Sequence, residues 1–269
     1  MRSLAPRLPT HAMATIHAFL RAHVGQSGNA GVVLGLSGGV DSALVARLCR
    51  DALGPERVLG VLLPDALVPA ALREETVRYA EALGIDVRTV PIDPLEDVFR
   101  TILPELDDRV TLGNVKARLR MVVLYSIARK LGRLVVGTGN KSELLLGYFT
   151  KHGDGGVDLL PLGDLYKTEI RELAAALDLP AAIRERAPTA GLWEGQTDEE
   201  ELGVTYVDAD QILSGLEQLR DVAEIVEITG IPLAQVRSVA ERVDRNRHKR
   251  RPPPIPKVGL RTIGIDWRD

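Results

Sequence analysis

The chain has 269 residues, 45% of them hydrophobic, enough for one large core and free of the biases that mark disordered or collagen-like chains. A formal net charge of −3 argues against a dominant nucleic-acid or membrane-surface role, each of which needs a net basic face. The single cysteine, Cys49, excludes an intrachain disulfide framework and a cysteine-rich zinc site, and fits a reducing, cytoplasmic setting.

The N-terminal stretch up to Val24 places His and Arg among its apolar residues, unlike a signal peptide, and no run reaches the roughly 18 apolar residues of a spanning helix. Short β-rich runs then alternate with helical patterns: GVVLGL (31–36), RVLGVLLP (57–64), DVRTVPI (86–92) and RLVVGTG (133–139). Such alternation predicts βαβ units and an open parallel sheet flanked by helices. Between the second and third runs, Pro69 opens and Gly84 closes a crossover helix whose apolar side is Leu72, Val77, Ala80 and Leu83. The stretch MVVLYSIA (121–128) is apolar almost all round, which predicts burial from two sides and suits a subunit interface. After residue 160 the strand signal disappears, and segments 166–180, 208–219, 221–230 and 232–246 read as a helical C-terminal region. With no linker or composition break, residues 1–269 are expected to form one domain, ending in a basic, Pro-rich tail over 245–269.

The most informative stretch is SGGVDS (37–42), preceded by Gly35 and Leu36 at the end of the first predicted strand. Ser37, Gly38 and Gly39 connect strand to helix, so their N–H groups and those of the next helical turn converge on one anion site. A Walker A loop would carry a lysine here; Val40, Asp41 and Ser42 stand in its place. An aspartate beside phosphate is repulsive unless a divalent cation lies between them, which makes Asp41 a magnesium ligand; the competing role is a helix cap.

This loop resembles that of the N-type ATP pyrophosphatases, whose fold is adenine nucleotide α-hydrolase-like. Further segments, NVKARLRM (114–121), GTGNKSE (137–143), GYFTKHGDGGVDLLPLGDLYKTE (147–169), PTAGLWEGQTDEEELG (188–203) and HKR (248–250), are similar to the ordered motifs of NAD synthetases. With the loop they span 31 to about 250, and the chain's length matches the ammonia-dependent form, without room for a glutaminase domain. The resemblance implies that nicotinic acid adenine dinucleotide (deamido-NAD) is adenylated by ATP, and that ammonia then displaces AMP to give NAD. It implies ATP contacts from the 35–42 loop, Thr138, Lys167 and Thr189. It also implies magnesium on Asp41 and Glu143, deamido-NAD contacts from Arg118, Lys151, Asp158, His248 and Lys249, and a homodimer. No protein nucleophile is required. A carboxylate that takes a proton from ammonium would help, and Asp154 and Glu201 are the candidates. Glu201 has a competing setting, since Thr197 and Glu200 form a T-x-x-E capping pattern beside it. The 187–200 connection, with an exposed-looking Trp193, suits a lid that excludes water. Two alternatives stay open: a sulfur-transferring relative, for which Cys49 is poorly placed, and a nucleotide-binding module without turnover.

Overall fold

The computed structural model describes residues 3–263 and 266; the last part of the predicted tail lies outside the described residues. In chain order the elements are α1 (Ala12–Gln26), β1 (Gly31–Gly35), α2 (Val40–Leu53), β2 (Val58–Leu62), α3 (Ala70–Ala82), β3 (Asp86–Thr89), α4 (Asp93–Ile102), α5 (Arg109–Leu131) and β4 (Arg133–Val136). There follow α6 (Lys141–Leu146), α7 (Lys167–Ala176), α8 (Ala181–Arg184), α9 (Asp198–Leu202), α10 (Tyr206–Glu217), α11 (Val222–Thr229) and α12 (Leu233–Arg245).

The four strands form one parallel sheet in the order β3-β2-β1-β4, with Val33 opposite both Leu59 and Val135. Parallel strands read as apolar runs because helices cover both faces, and alternation along β1 shows it. Val32 and Leu34 join the core made with α1, α2 and α7, while Val33 packs with Leu59, Val61 and Val135 under α5. A third apolar cluster holds α10, α11 and α12 against Leu146 and Tyr166, so the helical C-terminal region has its own core beside the sheet.

The predicted strands are present but shorter. Beyond Thr89 the β3 ladder makes one more bond, from Val90 N to Leu62 O (2.8 Å), before Pro91, which has no N–H to donate. Beyond Val136 the chain turns out of β4, and Gly137 N donates to Leu159 O (2.8 Å). The N-terminal helix α1 buries Ala12, Ile16, Leu20 and Val24, one residue per turn.

Of the apolar stretch 121–128, only Val122 and Ser126 are exposed; Val123, Leu124, Tyr125 and Ile127 already pack half-buried against their own sheet. In the basic tail residues 251–261 are exposed, whereas Lys249 and Arg250 are half-buried. Arg247–Arg250 form a 3-10 turn, and the Arg250 guanidinium donates to the carbonyls of Leu144 (3.2 Å), Leu145 (2.7 Å) and Val243 (2.9 Å), closing the end of α6.

Candidate active site

A cleft of about 1180 Å³ opens at the C-terminal ends of β1, β2 and β4, where open α/β sheets gather ligands. Its floor is the 35–42 loop, its walls are α5 and residues 147–157, and residues 186–196 lie across it. In the loop, Gly38 has φ +81°, and a Cβ there would come within 2.6 Å of Leu72 and 2.7 Å of Thr76 on α3, so only glycine fits. Ser42 Oγ accepts from Ser37 N (3.3 Å) and donates to Gly39 O (3.0 Å), which ties the turn to the helix it feeds.

Gly39, not Asp41, is the N-cap of α2, and no side chain caps that end. The helix-cap alternative for Asp41 is therefore overturned. Its carboxylate instead accepts from Lys167 Nζ (2.5 Å) and Asn140 Nδ2 (3.2 Å). Glu143 closes a capping box with Asn140 at the start of α6, and its other oxygen accepts from the same Lys167 Nζ at 3.3 Å. Side chains from the segments that follow β1 and β4 and from the first residue of α7 thus meet at one buried point.

Lys167 is set there by its neighbours. Ser142 Oγ accepts from Lys167 N (2.9 Å) and donates to buried Asp210 (2.5 Å), whose other oxygen accepts from Thr168 N and Oγ1, both at 2.8 Å. Burial alone would favour the neutral amine, but Asp41 and Glu143 outweigh it and hold the lysine charged, its pKa above normal. For Glu143 burial dominates and, with Asp41 adding to it against Lys167, pushes the carboxyl up to about 7.

The other expected residues fall into three groups. Thr138 and Thr189 line the cleft, and Thr189 Oγ1 also accepts from Gly191 N (3.0 Å) in a local turn. Asp154 and Glu201 line it too. Asp154 Oδ1 accepts from Thr150 N (2.8 Å), and burial raises its pKa against the pull of Lys249 and Arg120. Glu201 Oε2 accepts from Tyr148 OH (2.7 Å) and Gln196 Nε2 (3.1 Å). The capping pattern beside it is not formed: Thr197 is the N-cap of α9, but its side chain makes no cap bond.

Arg118, Lys151 and His248 make a chain along the outer rim, Arg118 donating to Lys151 O (3.3 Å) and Lys151 to His248 O (3.1 Å). Asp158 stands apart from the cleft, accepting from Tyr125 OH (3.0 Å) and Val135 N (2.7 Å). Lys249 reaches the cleft, but its Nζ donates to Gly147 O (2.7 Å) and Phe149 O (2.8 Å). Trp193 is half-buried rather than exposed, with the Arg109 guanidinium 5.0 Å from its ring centroid.

Sequence reading missed Asp198. It is 4% exposed and lines the cleft; Oδ2 accepts from Tyr206 OH (3.1 Å), whereas Oδ1 has no partner among the described residues. It is one of four consecutive acidic residues, and nothing in that run says which one turns inward. Also missed was the buried cluster of Asp65, Lys116 and Arg120 on the cleft's far side, where Asp65 Oδ2 meets both cations at 3.1 Å. Lys116 and Arg120 sit four apart on α5, on either side of Arg118, the residue that the motif resemblance singles out.

A glycine loop between a parallel strand and a helix, opening on paired carboxylates and a buried lysine, defines a nucleotide-binding α/β protein of the ATP pyrophosphatase type. The NAD synthase family model matches residues 12–253. An NH(3)-dependent NAD(+) synthetase of Methanosarcina mazei is 48% identical over 243 residues, covering 89% of this chain and 95% of that protein. Among solved structures, an NMN synthetase from Francisella tularensis superposes with a TM-score of 0.82 at 33% identity, covering 93% of this chain and 98% of that one. The NH3-dependent NAD synthetase of Campylobacter jejuni gives 0.78 at 33%, covering 91% and 97%. The chain belongs to the NAD synthase family.

Proposed function

We infer that the protein makes NAD from deamido-NAD, ATP and ammonia, with AMP and pyrophosphate as the other products. The observation that carries this reading is the meeting of Asp41, Lys167 and Glu143 at the mouth of the 37–42 loop. A site that must release pyrophosphate from ATP needs anion-binding N–H groups and positive charge on the same side of the nucleotide, and the loop and Lys167 supply them. Asp41 and Glu143 both reach one Nζ, so a single cation can meet both; two carboxylates completed by phosphate oxygens suit magnesium. Magnesium bound there would neutralise charge on the departing pyrophosphate.

The pyridine carboxylate of deamido-NAD attacks the α-phosphate, pyrophosphate leaves, and ammonia then attacks the acyl-adenylate and expels AMP. The protein's part is to align the two substrates, to take a proton from ammonium and to keep water out. Asp154, Glu201 and Asp198 are among the carboxylates that line the cleft besides Asp41 and Glu143, and residues 187–200 supply the cover. Arg118 and Lys151, the latter held by the His248 carbonyl, extend positive charge along which a dinucleotide can lie, while Asp158 is tied to Tyr125 and Val135 away from the cleft.

A homodimer is supported by α4, which packs its charged side inward. Glu96 meets Lys116 at 3.3 Å while Val98 and Ile102 are 56% and 62% exposed. That apolar face, with Val110 and Val122 on α5, is the surface proposed to meet a twin. The chain is read as one catalytic unit, with ATP as co-substrate and the cytoplasm as its compartment; among the described residues no helix is long and apolar enough to cross a membrane.

The test is an incubation with ATP, magnesium, ammonium and deamido-NAD, followed for NAD, AMP and pyrophosphate. Nicotinic acid mononucleotide is offered in parallel, because one structural neighbour is an NMN synthetase. NAD formed one-for-one with AMP is expected; mononucleotide turned over in preference to the dinucleotide would refute the substrate assignment.

A further inference from the structure

Arg186 stands where the chain leaves α8 and enters the segment lying over the cleft. Its guanidinium divides between two partners. One nitrogen donates to the carbonyl of Gly38 in the phosphate loop, and the other donates to Glu75 on α3 at 2.7 Å. Neither bond is local in sequence, and neither belongs to the catalytic carboxylate cluster.

The loop has a problem that this contact addresses. Two consecutive glycines let backbone come close to a phosphate, but they also leave the peptide between them free to rotate, since glycine populates both signs of φ. In a trans peptide the carbonyl of Gly38 and the N–H of Gly39 point opposite ways, so fixing one fixes the other. With the carbonyl drawn to Arg186, the Gly39 N–H lies inside the loop, where it meets Ser37 Oγ at 3.2 Å. A rotated peptide would aim a carbonyl oxygen at the anion site instead, replacing a donor by a repulsive acceptor. Leu72 and Thr76 wall one side of Gly38 but offer its carbonyl no bond; Arg186 does.

We propose that Arg186 is a positioning residue for the phosphate loop, acting on pyrophosphate through the Gly38 carbonyl rather than by touching phosphate. Glu75 aims the guanidinium, and the planar fork of arginine serves both partners at once, which a lysine cannot do. Because Arg186 also begins the covering segment, loop geometry and cover share one anchor. The proposal rests on reading the loop as a pyrophosphate site.

The experiment measures binding of magnesium pyrophosphate by titration calorimetry, and kcat and both KM values, for the full chain and for R186A, R186Q, R186K and E75Q. R186A is expected to weaken pyrophosphate binding about tenfold and to lower kcat in step, with KM for deamido-NAD within twofold of the parent. R186Q, which keeps an amide donor without the charge, is expected to recover most of the loss. If Arg186 touches phosphate directly, R186Q is as weak as R186A and R186K is the best of the three, and that order overturns the proposal. Unchanged pyrophosphate binding in R186A also overturns it. Should R186A fail to fold, E75Q carries the test: binding weakened severalfold supports the clamp, and parental binding refutes it. A parent that binds magnesium pyrophosphate yet makes no NAD would refute the proposed function and leave the comparison of variants intact, whereas a parent that binds none refutes both.

Discussion

Lys167→Met isolates what the buried cluster does. The lysine side chain is 3% exposed and is shared by Asp41 at 2.5 Å and Glu143 at 3.3 Å, with side chains 17% and 18% exposed. Methionine fills nearly the same volume, so the packing change is small and the electrostatic change is the loss of the cation. Breaking a buried pair by removing one partner costs about 3–5 kcal/mol, because the remaining charge has lost both water and counter-ion. At about 2–4 °C per kcal/mol for a chain of this size, the melting temperature should fall by roughly 6–20 °C. Two further measurements make the reasoning specific. The double variant Lys167→Met, Asp41→Asn should melt above the single one, since it no longer holds an uncompensated aspartate. Millimolar magnesium should raise the melting temperature of the single variant more than that of the double, because only the single keeps both carboxylates. A single variant melting within about 2 °C of the parent, or a double variant below the single, would refute this account of the cluster.

Asp41→Asn should cut NAD formation by orders of magnitude while circular dichroism stays parental, since the helix is capped at Gly39 and not by this carboxylate. Lys249→Ala should lower the melting temperature, because the lost bonds to Gly147 O and Phe149 O tie the tail to the end of α6; a hydrogen bond to a charged group is worth about 1.5–3 kcal/mol. A change confined to KM for deamido-NAD, with stability untouched, would argue for a ligand contact instead. Ile102→Glu should shift the species seen by light scattering from dimer to monomer; an unchanged dimer would place the interface elsewhere. Trp193→Ala removes the ring under Arg109 and should raise AMP formed per NAD, as water reaches the adenylate; a ratio held at one would show that this side chain does not seal the site.

Much of this site is legible in the sequence because its chemistry sits at strand ends. Gly35 to Ser42 follow β1, Thr138 and Glu143 follow β4, and parallel topology brings those ends together at one edge. The fold and the glycine turn at its centre can therefore be read from one short run and the alternation around it. Lys167 is identified by motif alone, because Ser142, which accepts from its N–H, lies 25 residues away, and Asp210, which holds Ser142, lies a further 68 residues from Ser142, contacts that no local pattern encodes. Asp198 was hidden for a different reason. In DEEE every residue is acidic, and only the placement of Tyr206, whose hydroxyl donates to Asp198, marks the one that is buried.

The same limit explains α4, where local pattern and tertiary setting disagree. Leu95, Val98 and Ile102 recur at helical spacing, and a helix read alone would turn that stripe toward its own core. In the fold the opposite face is taken, because buried Lys116 needs anions. Asp65 provides one at 3.1 Å, and Glu96, held in turn by Arg100 at 2.9 Å, provides the second. An unpaired buried lysine costs more than an exposed stripe of three apolar side chains, so the charged face wins the inside position. The apolar stripe is then left for another surface to cover. This preference is testable: Lys116→Met should remove the demand for Glu96 and loosen α4, seen as faster amide exchange over residues 93–102, while a parental exchange rate there would show that α4 is held by its apolar contacts instead.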